Sequence, residues 1–233
     1  MVGGNNGEHD IVSIEQHEKH RRQAPLRLVE AYWRGLCPEQ DIPARNQIDP
    51  RGMEDALENA FLVERIAAGM AKLRVAGTHI SDLMGMEMAG MPLSSMIAPE
   101  DRDRFGEAVA ALFDTSSVVR ATLNAQTGFG RNAMEAYLVL LPLRSDFGDV
   151  SRALGVLVSH GRIGRTPRRF EVSKLEILPA FPAETPSTAT ASDTPRPATK
   201  DAKPPVGGGL AEDPAPFDPP KGRKGLRLVV SND

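Results

Sequence analysis

Apolar positions recur along the chain with two periods, and the change of period marks out the elements. Between Pro25 and Leu36, the residues Leu26, Val29, Trp33 and Leu36 fall three or four apart, which puts them on one helical stripe. Leu28 and Tyr32 widen that stripe, while Arg27, Glu30 and Arg34 take other sides. A second helix is predicted from Asp49-Pro50, a capping side chain followed by proline at the first helical position. Met53, Leu57 and Ala60 continue its apolar face. A third opens at Pro99-Glu100-Asp101-Arg102-Asp103, where acids in the first turn suit the helix dipole. Phe105, Val109, Leu112 and Phe113 supply its stripe.

Strand-like runs come in two groups. Phe61–Ile66 and Met70–Ala76 flank Ala67-Ala68-Gly69, a hairpin connection. Val118–Gln126, Met134–Leu143 and Ala153–Arg162 are separated by two stretches rich in turn formers. Between the groups, Thr78 is read as an N-cap for a short helix carrying Ile80, Leu83 and Met84 and stopped by Gly85. This order predicts an α+β fold with a five-stranded antiparallel sheet and flanking helices. Tyr137–Leu141 is apolar at every position, whereas a strand with one wet face alternates. Something must therefore cover the second face. The amphipathic helix is the candidate, from its own chain or from a partner, and a homodimer is the expectation that follows.

Composition changes the picture near residue 179. Eleven of the 19 prolines fall between Pro179 and Pro220, with only Phe181 and Phe217 as aromatics. So little apolar surface does not offset an ordering cost of about 1–2 kcal/mol per residue. The expected organisation is a disordered tail at 1–23, one domain at 24–178, a disordered linker at 179–224 and a short apolar segment at 225–233. Gly225-Leu226-Arg227-Leu228-Val229-Val230 is suited to adding to a sheet edge. The net charge of −3 gives no strong field for a polyanion, and Lys221, Arg223, Lys224 and Arg227 are offset by Glu212, Asp213 and Asp218. Nucleic acid is not an expected partner. No apolar run reaches membrane-spanning length and no secretory segment opens the chain, so the protein is expected in the cytoplasm, off the membrane.

Read together, the element order and several local passages resemble the PAS fold. Pro99-Glu100-Asp101-Arg102 is similar to the acidic start of the last PAS helix, and Gly85–Pro92 to the glycine-bearing passage before it, with Gly90 and Leu93 in place. Tyr32-Trp33, Pro43-Ala44-Arg45 with Ile48-Asp49-Pro50, and Phe61-Leu62 followed by Leu73–Thr78 resemble a divergent PAS family of alphaproteobacteria, PAS_5, over about residues 26–162. The resemblance implies a stand-alone, non-catalytic bacterial signalling module, a homodimeric sensor or adaptor for protein partners. It also implies motility or cell-cycle control as a context. A receptor with a small molecule in the PAS cavity is the alternative.

Candidate sites divide accordingly. Leu73, Val75, Ile80, Leu83, Met84, Leu123, Leu138 and Leu140 are the cavity candidates, softened by Met86, Met88 and Met91. Leu26, Val29, Trp33, Leu36, Tyr137 and Arg74 are the dimer or partner candidates. Arg45 is read either as an anion-recognising group or as the ion-pair partner of Asp49. The single cysteine, Cys37, lies far from the position that the flavin adduct of PAS photoreceptors requires. The last long helix holds no histidine for a haem axis, although His79 and His160 lie elsewhere in the domain. No cofactor is expected on that ground, and no metal at His9, His17 and His20, which lack acidic or thiol partners. Gly128-Phe129-Gly130-Arg131 reads as a turn, and no nucleotide-binding, serine-hydrolase or zinc-protease motif is present.

Overall fold

The structure, a computed structural model, describes residues 21, 23–37 and 41–181. All but the first three residues of the expected linker at 179–224, the whole segment at 225–233 and most of the tail at 1–23 lie outside the described residues. Helix α1 spans Ala24–Gly35 and buries Leu26, Val29 and Trp33, while Leu36 follows it half-buried. The second predicted helix is instead a tight 3-10 stretch, Pro50–Ala56, kinked at Met53. Its cap holds, since Asp49 Oδ1 accepts from the Arg51 N–H at 3.0 Å. Its buried side is Met53 and Ala56, Leu57 is exposed, and Ala60 already belongs to β1.

Strands β1 (Ala60–Ala67) and β2 (Met70–Ala76) form the hairpin, followed by α2 (Thr78–Met84). Gly77, not Thr78, precedes α2 as its cap, and Gly85 ends it in the left-handed region at φ 69°. Helix α3 covers Arg102–Asp114, then come β3 (Ser117–Ala125), β4 (Glu135–Arg144), β5 (Val150–His160) and β6 (Phe170–Pro179). The sheet is antiparallel in the order β2-β1-β5-β4-β3-β6. It therefore has six strands, where five were expected. β6 pairs with β3 from Ser117↔Pro179 to Ala125↔Phe170. Its start is tied down on the other side, where the Ala98 N–H donates to Phe170 O at 2.7 Å and the Val172 N–H to Asp101 Oδ2 at 2.8 Å. The Asp101 side chain thus anchors β6, and makes no capping bond to the helix that begins at Arg102. Packing against the domain continues past residue 178, since Ala180 is buried and Phe181 stacks on Trp33 with ring centroids 6.1 Å apart.

Two apolar cores lie on opposite faces of this sheet. The inner one packs α2, α3 and the turns between them against Phe61, Val63, Leu73, Val119, Leu123, Leu138, Leu140 and Leu157. The outer one packs α1 and the 3-10 stretch against Tyr137, Val139, Leu141, Leu143, Leu154, Val156 and Val158. The doubly apolar run in β4 thereby has its cause: alternate residues serve alternate cores. α1 of the same chain supplies the missing cover, with Trp33 Nε1 donating to Pro142 O at 2.9 Å. Removing each large apolar side chain of α1 from water contributes about 1.5–3 kcal/mol, which fixes the helix on the sheet.

Candidate functional site

The inner core gathers the predicted cavity residues. Leu73, Ile80, Leu83, Met84, Leu123, Leu138 and Leu140 all fall in one cluster, joined by Met88, Leu93, Met96, Phe105, Val109 and Leu112. Val75 does not join them and is 54% exposed. The cause is a β-bulge. Leu62 pairs with Val75 but Val63 pairs with Leu73, so Arg74 is the extra residue and the alternation reverses there. Val75 then shares with Ile48, Pro50, Leu57 and Leu62 an apolar groove of about 200 Å³ on the outer side.

The same reversal sets Arg74 beside Glu64. That carboxylate holds Arg74, Arg152 at 2.8 Å and Lys72 at 3.9 Å. The bonded Arg74 guanidinium, with Arg152 and Lys72 behind it, draws the Glu64 carboxyl below its ordinary range. Arg45, Arg74 and Arg152 line one shallow groove with Asp146. Arg45 is exposed and makes no ion pair with Asp49, so the pairing considered for it is not formed. A second groove, about 340 Å³, runs between α1 and strands β3, β4 and β6. There Arg120 reaches Glu30 Oε1 through Nε at 3.0 Å and Nη2 at 2.6 Å, pinning α1 to the sheet.

Of the dimer candidates, Leu26, Val29, Trp33 and Tyr137 are buried within their own chain. The remaining titratable candidates sit apart. Cys37 is half-buried, its Sγ donating to Trp33 O at 3.2 Å, and burial pushes the thiol up. It belongs to the outer core, on the far side of the sheet from α2 and α3. His79 Nε2 lies 3.0 Å from Ser159 Oγ, and burial lowers its pKa against the opposing pull of Glu58 and Asp82. His160 packs against Tyr137 at 6.1 Å between ring centroids. Among the described residues no group of three His, Cys, Asp or Glu side chains is placed to hold a metal ion. No described helix is long and apolar enough to cross a membrane.

The profile of the family PAS_5, PAS domain, matches residues 21–158. The chain belongs to this PAS family. As a PAS domain it falls in the sensory signalling class. No curated protein sequence matches it. Among solved structures, a light-oxygen-voltage (LOV) domain described with a flavin analogue is 17% identical, covering 48% of this chain and 84% of that one, with a TM-score of 0.36. An RNA-binding LOV receptor is 18% identical over 50% of this chain and 35% of its own, at TM-score 0.35. A sensory box histidine kinase/response regulator from Burkholderia thailandensis is 18% identical over 48% and 84%, at 0.32. The expectation that no cofactor is involved is corrected here and not carried forward, since one of these similar structures is described with a flavin analogue. In this chain the region between sheet and helices is occupied by side chains. A flavin seated there would have to displace residues such as Leu83, Met96 and Phe105, each at most 1% exposed.

Sequence reasoning missed β6 and Arg168. Arg168 is fully buried in the loop before β6, donating Nη1 to Ile163 O and Nη2 to Asn132 O, each at 2.6 Å. The signal was there in the arginine-rich run 161–169, GRIGRTPRR.

Proposed function

We propose that this PAS domain is a non-catalytic signalling module that relays changes in its inner core to the helix on its outer face, where a protein partner reads them. One observation carries the reading: β4 sends Leu138 and Leu140 into the inner core and Tyr137, Val139 and Leu141 under α1. Interiors packed this closely shift as units, so a change on one side of the strand displaces the other. The outer surface offers a partner Leu28 on α1 and the apolar groove at Leu57, Leu62 and Val75. The face on which the homodimer was argued is covered by α1, so a second copy is proposed as one partner among others. Motility or cell-cycle control rests on the family resemblance alone.

Trp33, the single tryptophan, reports on α1. Leu138→Ala trims the inner core without touching α1. The expected result is a red-shifted, more quenchable Trp33 emission with the far-UV spectrum kept. Unchanged emission in a folded variant removes the relay. The alternative, a receptor with a bound small molecule or cofactor, is favoured by the family and its neighbours. Native mass spectrometry with an absorbance spectrum of the same sample separates the two: added mass lost on denaturation establishes the receptor, and bare mass without visible absorbance favours the adaptor.

A further inference from the structure

The loops at 126–133 and 161–169 carry Arg131, Arg162, Arg165, Arg168 and Arg169 and no acidic residue, in a chain whose net charge is −3. They are bound to each other. The Arg165 N–H donates to Gly130 O at 2.8 Å, the Gln126 N–H to Arg169 O at 2.9 Å, and Arg168 Nη2 bridges to Asn132 O. A third element closes the base, where the Arg168 N–H donates to Leu83 O at 2.9 Å.

The energetics of this cluster are unbalanced. A buried charge is ordinarily matched by an opposite charge, and a buried donor by an acceptor. Arg168 is 0% exposed, yet only carbonyl oxygens meet it, and its Nε has no partner. Arg131 Nε is likewise buried and without a hydrogen bond. Burial and the like charge of Arg131 both weaken the hold of Arg168 on its proton. None of the five arginines makes an ion pair among the described residues, whereas Arg65, Arg74, Arg120, Arg144 and Arg152 all do. The nearest acids in sequence, Glu135 and Glu171, line a neighbouring groove with His160 that none of these arginines enters.

From this juxtaposition we infer that the paired loops form a binding site for a phosphate group, free or on a small phosphate ester, which supplies the negative charge that Arg131 and Arg168 lack. The all-arginine composition suits an oxyanion such as phosphate. A guanidinium offers a planar pair of donors that matches two oxygens of one phosphate, which a lysine does not. Arg168 is the preorganised floor, already fixed by its two carbonyls. Arg131, half-buried, and Arg165, exposed, are the groups that close on the ligand.

The test is calorimetric titration of the full chain with inorganic phosphate and with pyrophosphate, at ionic strength held constant with chloride. Arg131→Gln and Arg165→Gln are used rather than an Arg168 variant, since losing Arg168 removes a fold contact. Arg34→Gln, an exposed position on α1, is the charge-matched control. The expectation is saturable binding weakened about tenfold by either loop variant and unchanged by the control, the loss of one charge-assisted contact. Absence of saturable binding, or equal weakening by the control, overturns the site. A vesicle arm with anionic phospholipid decides the source. Arg131-dependent vesicle binding that phosphate does not displace overturns the small-ligand assignment in favour of a lipid headgroup. None of these outcomes touches the relay through β4.

Discussion

Arg74 is where β1 and β2 fall out of step, and the consequence falls on its neighbours. Strict alternation in Lys72-Leu73-Arg74-Val75-Ala76 sends Leu73 and Val75 to the same face. The bulge sends them to opposite faces, with Leu73 fully buried and Val75 54% exposed. The expected stabilities follow. Leu73→Ala costs about 2–5 kcal/mol, since it opens a cavity in a packed core, whereas Val75→Ala stays within about 0.5 kcal/mol. Urea unfolding of the two variants checks this, and equal losses would mean that both residues face inward. No glycine or proline marks the slip in the sequence. It is set by the pairing of two strands, which a periodic reading of one strand does not contain. The buried face of α1 was legible for the opposite reason: Leu26, Val29 and Trp33 repeat at helical spacing, and nothing in the fold interrupts them.

At the scale of elements, β6 is the strand the sequence reading passed over, and it lies beyond the family match at 21–158. Its alternation is weak. Phe170 and Val172 are buried, but from Ser173 onward its residues are half-buried or exposed, so the apolar period that announces a strand fades after two repeats. Its role is nonetheless definite. Without it, β3 becomes an edge whose unpaired backbone sits beside Val118, Val119, Ala121 and Leu123, all buried in the intact domain. Exposed apolar edges pair with other chains. A chain ended at residue 162 is therefore expected to aggregate, and size exclusion of the truncated and full-length proteins measures it. A monodisperse, folded truncation would show that β6 is an accessory strand. The 3-10 stretch Pro50–Ala56 tells a related story. The Asp49 cap and Pro50 were correctly read as a helical start, but the kink at Met53 turns the chain into β1 before an α-helix is completed.

For the molecule as a whole, one half-buried imidazole ties stability to pH. His79 sits on α2 with Ser159 of β5 at its Nε2, and Glu58 and Asp82 are the acids that act on it. Burial outweighs those acids and lowers its pKa below the ordinary 6.5, so the folded chain takes up this proton less readily than the unfolded one. Linkage then fixes the sign. Well above 6.5 both states hold a neutral His79, and its effect on stability does not change with pH. As pH falls below 6.5 the unfolded chain binds the proton first, and the fold loses stability until the lowered folded-state pKa is reached, where the loss levels off. The wild-type urea midpoint is expected to drop between pH 7 and the acid side of 6.5, and His79→Gln, which keeps a polar partner for Ser159, to flatten that part of the profile. The carboxylates held low, Glu64 and Asp149, act in the same direction but at lower pH, since both remain ionised until below the ordinary carboxylate range. The two contributions therefore separate along the pH axis. A variant whose midpoint falls as steeply as the wild type just below 6.5 would assign the loss to other groups, and would leave the Ser159 contact as a packing detail of the α2–β5 junction.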